Sequence, residues 1–379
     1  MTAPVSLYAH LPFCLSKCAY CDFRSHVPEH AREQRDYVDA LLEDARRWAA
    51  RGLLADVPTL YVGGGTPTTL GDDLVRLVEG LRAVARLRED AEVTVETNPD
   101  VTTPALVHRL VEAGVNRFSM GVQSFDDGVL RTLGRRHDAG RAEQAAAVLR
   151  ESGARFSLDL ICGVPGQSEA SWRDTVERAV ATGAGHVSVY PLSVEEGTPL
   201  AASIASGALP PPGEDAAADM MLLAERVLEG AGLERYEVAS YAREGERCRH
   251  NVVYWTGGAY LGLGDGASSM LPAALVAELG ARRLPVPHPG AARGRFVADE
   301  PESVEFLTSA EAAREDVMLG LRLVEGVTAE QARAAGVEGA LRQLADDALV
   351  ERANGRWRTT RRGWLLGNEV FGRVWAAQV

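Results

Sequence analysis

Residues 8–23 read Tyr8-Ala9-His10-Leu11-Pro12-Phe13-Cys14-Leu15-Ser16-Lys17-Cys18-Ala19-Tyr20-Cys21-Asp22-Phe23: a short apolar run stops at a proline and gives way to three clustered cysteines. Leu7–His10 followed by Pro12 reads as a strand handing over to a loop. The same beginning recurs downstream. Thr59–Gly63, Val93–Thr97, Arg117–Gly121, Ser157–Ile161 and Val187–Pro191 read as strands, and the stretches between them carry apolar residues three and four apart, as at Tyr37, Leu41, Ala45 and Trp48 or Leu74, Leu77, Val78 and Leu81. Parallel strands need long crossovers, so these strand–helix units predict an α/β fold, a partial (β/α)6 TIM-like barrel over residues 1–200, with a doubly wound sheet as the other arrangement. In such folds the working groups collect at the carboxyl ends of the strands. Cys14 follows the first strand, Gly63-Gly64-Gly65-Thr66-Pro67 ends the second, Glu96 ends the third, Gln123 lies beyond the fourth and Asp159 sits in the fifth.

Further along, residues 201–213 (AASIASGALPPPG) read as a linker and Glu214–Gly230 as a helix. A motif-bearing segment, Tyr236–Met270, follows. Residues 271–309, rich in Pro, Ala, Gly and Arg, match no element pattern. Together 201–309 form an intermediate stretch. Residues 310–379 pattern as helix, helix, short strand pair and helix, a small winged-helix-like C-terminal domain. They hold ten arginines against ten acidic residues, so no basic face is expected and a structural or partner-docking role fits better than DNA binding. The formal net charge of −13 likewise argues against nucleic acid as partner. No apolar run reaches the roughly 18–20 residues a bilayer demands, and Met1–His10 lacks the basic and apolar pattern of a signal peptide, so a cytoplasmic location is expected.

The cysteines are Cys14, Cys18, Cys21, Cys162 and Cys248. Clustered thiols in a long chain point to metal or redox chemistry rather than a disulfide framework. The Cys14-x3-Cys18-x2-Cys21 spacing supplies three soft ligands, whereas a closed structural site takes four. Three thiolates on a four-iron cube leave one iron open to an exogenous ligand. A zinc site completed by Cys248 or His250 is the alternative. Cys162 reads as a small buried hydrophobe.

The segment YAHLPFCLSKCAYCDF, then GGGTP, ETNP, GVQSF, LGRRH and DLICGVPGQ, resembles the HemN/HemW branch of the radical S-adenosylmethionine (SAM) superfamily over roughly residues 6–270. The resemblance implies a [4Fe–4S] cluster on Cys14, Cys18 and Cys21. It also implies a SAM site lined by Tyr8, Tyr20, Gly64, Gly65, Thr66, Glu96, Gln123, Arg135 and Asp159. Set against those roles, Arg135 and Asp159 form an internal salt bridge in the plainer reading, and Gln123 caps a turn.

Within that branch the features favour the haem-chaperone type. Thirteen residues precede Cys14, where the oxidases carry a longer arm, and Phe23 stands where they typically place a fourth cysteine. His250-Asn251-Val252-Val253-Tyr254-Trp255 matches an HNxxYW motif linked to haem binding in this branch, which makes His250 the candidate axial ligand, with Cys248 a second. The plainer reading of His250 is a residue that orders a turn. In place of a GxGAHG-like stretch stands Gly264-Asp265-Gly266-Ala267-Ser268-Ser269, with serine for histidine. The expected function is therefore haem binding and transfer to an acceptor haemoprotein, a respiratory, membrane-associated one among the options, with an electron donor for the cluster. The alternatives are an oxygen-independent coproporphyrinogen III oxidase and a radical SAM methyltransferase.

Overall fold

Val- and Leu-rich strands that alternate with helices form most of the first 200 residues. The computed structural model describes residues 4–279 and 286–377. The chain divides into two compact units. One comprises residues 9–235 and 239–247. The other comprises residues 1–8, 236–238 and 248–379, of which residues 1–3, 280–285 and 378–379 lie outside the described ones. Residues 201–309, read as one intermediate stretch, contribute to both.

β1 (Ser6–Leu11), whose residues 9–11 belong to the first unit and 6–8 to the other, is followed in the first unit by α1 (Ala31–Ala49), β2 (Val57–Gly64), a 3-10 turn (Pro67–Leu70), α2 (Asp72–Val84), β3 (Leu87–Thr97), α3 (Pro104–Glu112), β4 (Arg117–Gln123), α4 (Asp127–Thr132), α5 (Ala139–Glu151), β5 (Arg155–Cys162), α6 (Glu169–Ala181) and β6 (His186–Pro191). The strands lie in sequential order β1 to β6, and β2 through β6 pair parallel. A doubly wound sheet reverses its order at a switch point. No reversal occurs here, and β1 does not pair with β6, which makes this a partial barrel. Caps set the helix starts: Thr103 with Pro104 at α3, Asp126 at α4, Asp138 at α5 and Ser168 at α6.

The unit continues through α7 (Pro199–Ala205), α8 (Glu214–Gly230), β7 (Glu234–Arg235) and β8 (Ser240–Ala242), the last pairing antiparallel with β6. The expected linker at 201–213 thus begins as a helix. Thr198 accepts a hydrogen bond from the Ala201 amide, Pro199 occupies the first turn, and alanine is the best helix former.

The second unit holds α9 (Arg249–Trp255), β9 (Tyr260–Leu263), β10 (Ser268–Pro272), α10 (Ala273–Leu279), β11 (Ala291–Val297), β12 (Glu300–Thr308), α11 (Ser309–Gly320), β13 (Val327–Thr328), α12 (Ala329–Ala334), α13 (Glu338–Asp346), β14 (Val350–Ala353), β15 (Arg356–Thr359), α14 (Arg361–Leu365) and α15 (Gly367–Trp375). The unassigned stretch 271–309 contains an antiparallel pair, β11 with β12, and β11 also pairs with β10. From α11 onward the winged-helix-like expectation holds. Strands β13, β15 and β14 form a three-stranded sheet, and its wing is the two-residue Asn354-Gly355 turn, with φ of 52° and 77°. Val317, Leu321, Val327, Leu341, Leu344, Trp357, Val370, Phe371 and Val374 pack as its core. Among the described residues no helix is long and apolar enough to cross a membrane.

Candidate functional site

The cysteine loop leaves β1 and is fastened by backbone. The Cys14 amide donates to His26 O (2.9 Å), the His26 amide to Pro12 O (2.7 Å) and the Ala19 amide to Leu133 O (3.0 Å). All three thiols are free and half-buried. Burial raises the pKa of Cys14 and Cys21. Among the described residues no three donors converge as a single metal ion requires. Separate corners of an iron–sulfur cube do not demand such convergence.

The end of β2 is fitted against this loop. The Gly65 amide donates to Leu11 O (2.8 Å) and the Thr66 amide to Phe13 O (2.7 Å). A β-carbon on Gly65 would stand 2.6 Å from Phe13 O and 2.9 Å from Cys14 Sγ, so only glycine permits this approach. The Thr66 hydroxyl points to Cys14 Sγ at 3.9 Å. Gly64 has φ of 119° and its amide donates to Glu96 Oε2 (3.0 Å), while the Tyr61 hydroxyl donates to Glu96 Oε1 (2.8 Å). Desolvation nonetheless pushes the Glu96 pKa up to about 7, with neighbouring Asp159 adding to the rise.

Around the mouth, Arg135 donates to Gly121 O (2.6 Å) and toward Cys18 Sγ (3.3 Å). Asp159 instead accepts from Ser119 (3.1 Å) and Ser188, and burial raises its pKa. The alternative of an Arg135–Asp159 salt bridge is therefore not what the structure forms. Gln123 sits in the left-handed region at φ 69°, unusual outside glycine. Its buried Oε1 has no partner among the described residues, and neither does Arg135 Nε. Tyr20 packs partly buried against Val129, Leu133, Ile161 and Val164. A buried acceptor and a buried donor without partners, a carboxylate of raised pKa and close backbone suit a zwitterionic, hydroxyl-rich ligand beside the thiols.

Tyr8 and His250 fall in the other unit. Their rings lie 6.4 Å apart. His250 is 1% exposed, and its Nε2 is hydrogen-bonded to the Tyr254 hydroxyl at 2.9 Å, with Tyr254 edge-on to Tyr260. Cys248 is buried, and its amide donates to the Tyr236 hydroxyl (3.2 Å). Ser268, at the position of the histidine in the GxGAHG-like pattern, is exposed, while the hydroxyl of Ser269 accepts from the Gly262 amide (2.9 Å). Cys162 is buried, and burial pushes its thiol up to about 12, as expected of an inert side chain.

Sequence reasoning missed Tyr61, Ser119 and Ser188, which hold the acidic groups, because each reaches its partner from a neighbouring strand. It quoted LGRRH but not the use of Gly134. That residue has φ of 69°, and its β-position lies 2.9 Å from the Ala19 amide nitrogen, so a side chain there would lift the cysteine loop off Leu133.

The profile of the radical SAM superfamily matches residues 8–179, the span that contains the cysteine loop, the Gly64–Thr66 approach, Glu96, Gln123, Arg135 and Asp159, so the class is that of the radical SAM proteins. The profile of the HemN C-terminal domain matches residues 307–366. "Heme chaperone HemW" of Mycobacterium tuberculosis is 38% identical over 97% of this chain and 94% of its own length, and the protein of that name from Bacillus subtilis is 33% identical over 97% and 98%. The chain belongs to the HemW family. Its fold is similar to that of coproporphyrinogen III oxidase (HemN) of Escherichia coli, with a TM-score of 0.78, 23% identity and coverage of 99% of this chain and 90% of that one. Superfamily membership implies a [4Fe–4S] cluster and SAM.

Proposed function

We propose that the chain carries a [4Fe–4S] cluster on Cys14, Cys18 and Cys21, binds SAM beside it, and acts as a haem chaperone that passes haem to an acceptor haemoprotein. The observation that carries the reading is the near full-length similarity to proteins named "Heme chaperone HemW", with the HNxxYW segment in place. The cofactors, when bound, supply one-electron chemistry at the sulfonium. The protein's part is positional. Gly65 lets β2 close on the Cys14 backbone, Arg135 sets a cation against the Cys18 sulfur, and Glu96 offers a carboxylate to the ammonium of the methionine moiety. The partners that follow are haem, an acceptor, which a membrane-associated respiratory protein would satisfy, and an electron donor. A cytoplasmic location suits all three.

Haem ligation by His250 requires its imidazole to leave the Tyr254 hydroxyl. The test pairs two assays on one anaerobically reconstituted sample: haem titration, and incubation with SAM, reductant and coproporphyrinogen III. Saturable haem binding without porphyrinogen turnover is expected. Formation of protoporphyrinogen overturns the chaperone reading in favour of the oxidase.

A further inference from the structure

Arg322, just past the end of α11, places its guanidinium carbon 5.1 Å from the ring centre of Trp255 and 4.3 Å from that of Phe371. Among the described residues no carbonyl or carboxylate accepts from this side chain, and its buried Nε is without a partner. The buried indole Nε1 of the adjacent Trp255 is without one too. Elsewhere in the same unit, arginines in comparable surroundings are neutralised. Arg293 makes two 2.8 Å bonds to Asp316, and Arg295 meets Glu305 at 2.7 Å and also Glu315. Burial depresses the Arg322 pKa, and the charge of Glu237, whose backbone bridges Leu323, opposes that without a hydrogen bond to the guanidinium among the described residues. Two buried donors on neighbouring side chains, one of them cationic, are costly to leave unpaired. A carboxylate satisfies both, and an arginine fork takes it bidentately.

Haem presents two propionate carboxylates at the edge of a flat apolar ring, and Trp255 is the last residue of the HNxxYW segment. We propose that Arg322 and the indole N–H of Trp255 form a carboxylate site that receives a haem propionate. The proposal rests on the haem-chaperone reading, and its test separates the two.

The reconstituted full-length protein is titrated with haem and with haem dimethyl ester, which keeps iron and macrocycle but has no carboxylate. The wild type is expected to bind the diacid about tenfold to a hundredfold more tightly than the ester. Arg322→Gln should lose that preference while keeping its ester affinity, and Trp255→Phe, which keeps a ring but no N–H, should lose part of it. Arg322→Lys, which keeps the charge without the fork, should retain part of it. Equal wild-type affinity for diacid and ester overturns the proposal with the haem reading intact. Equal loss of both ligands in Arg322→Gln also overturns it and marks Arg322 as a packing residue between Trp255 and Phe371. A wild type that binds neither porphyrin overturns the haem reading itself. The diacid–ester comparison needs no variant, so it decides the matter even where Arg322→Gln fails to fold.

Discussion

Replacing Gly65 by alanine tests whether the close approach of β2 to the cysteine loop is what holds the cluster ligands in place. The added methyl would meet Phe13 O at 2.6 Å and Cys14 Sγ at 2.9 Å. An ordinary contact needs roughly 3.4 Å, so the Phe13–Cys14 backbone must retreat by about 0.8 Å, and a backbone oxygen has no rotamer by which to yield. The retreat stretches the bonds from Gly65 N to Leu11 O and from Thr66 N to Phe13 O. Overpacking costs about 1–3 kcal/mol, and each weakened hydrogen bond adds up to about 1 kcal/mol. In a protein of 379 residues Tm should fall by about 1–2 °C per kcal/mol. The more telling readout is the cluster. Wild type should hold about four irons per chain after anaerobic reconstitution, and Gly65→Ala less than half the wild-type content, with a weakened spectral response to SAM. Gly339→Ala is the control: it sits in α13 with nothing within 4 Å of its β-position, and should gain about 0.5–1 kcal/mol and keep all its iron. A Gly65→Ala protein with full iron and an unaltered SAM response would refute the argument.

With its pKa at about 7, Glu96 makes SAM affinity pH-dependent: the carboxylate is present above that value, so affinity should fall as pH drops through 7, up to about tenfold per unit. Glu96→Gln should bind SAM weakly at every pH, and a wild-type profile flat from pH 5.5 to 8.5 would contradict the assignment. The same group affects folding. Its folded pKa lies above the ordinary 4.5, so the folded state holds the proton longer and cofactor-free stability should decline as pH rises from about 4.5 to 7, by about 3 kcal/mol, a slope that Glu96→Gln removes in denaturant titrations. Single Cys14→Ala, Cys18→Ala and Cys21→Ala variants should lose the cluster, whereas Cys162→Ala and Cys248→Ala should keep it. Retained iron in any of the first three counts against the ligand set. Tyr254→Phe removes the hydroxyl bonded to His250 Nε2, so if the imidazole ligates haem, affinity should rise in Tyr254→Phe and collapse with the Soret band in His250→Ala. An unchanged Soret band in His250→Ala would exclude His250 as ligand.

The barrel was legible because its signals are local. Each strand is a short β-branched or apolar run, each helix has an apolar stripe, and the order of units alone places Cys14, Gly64, Glu96 and Gln123 at one set of strand ends, with Asp159 inside the fifth strand. Signals failed where they depend on another part of the chain. Strand β3 begins at Leu87, six residues before the Val93 expected from sequence, because its exposed Arg88, Glu89 and Asp90 carry no apolar pattern. The β11–β12 pair was unreadable because two register shifts break its alternation. The salt bridge between Arg135 and Asp159, the plainer alternative to their SAM-site roles, rests on charge alone. The fold sends Arg135 to Cys18 and Gly121 and leaves Asp159 to hydroxyls on β4 and β6.

The HNxxYW segment shows how one motif comes to serve two surfaces. His250 and Tyr254 are four residues apart in α9, so they share a helix face and bond to each other. Trp255 is one residue on, about 100° around the helix, and meets a different neighbour, Arg322. The motif therefore resolves into a histidine–tyrosine pair and a tryptophan–arginine pair with unspent donors. The first is closed on itself and would have to open for its imidazole to ligate iron. The second is unsaturated and needs only an anion. That asymmetry predicts an order of events: the carboxylate edge of a porphyrin is engaged before its metal, so the dimethyl ester should slow the appearance of the ligated Soret band as well as weaken the final complex. Stopped-flow mixing of the two porphyrins with wild type measures this directly, and identical rates would place ligation ahead of carboxylate capture.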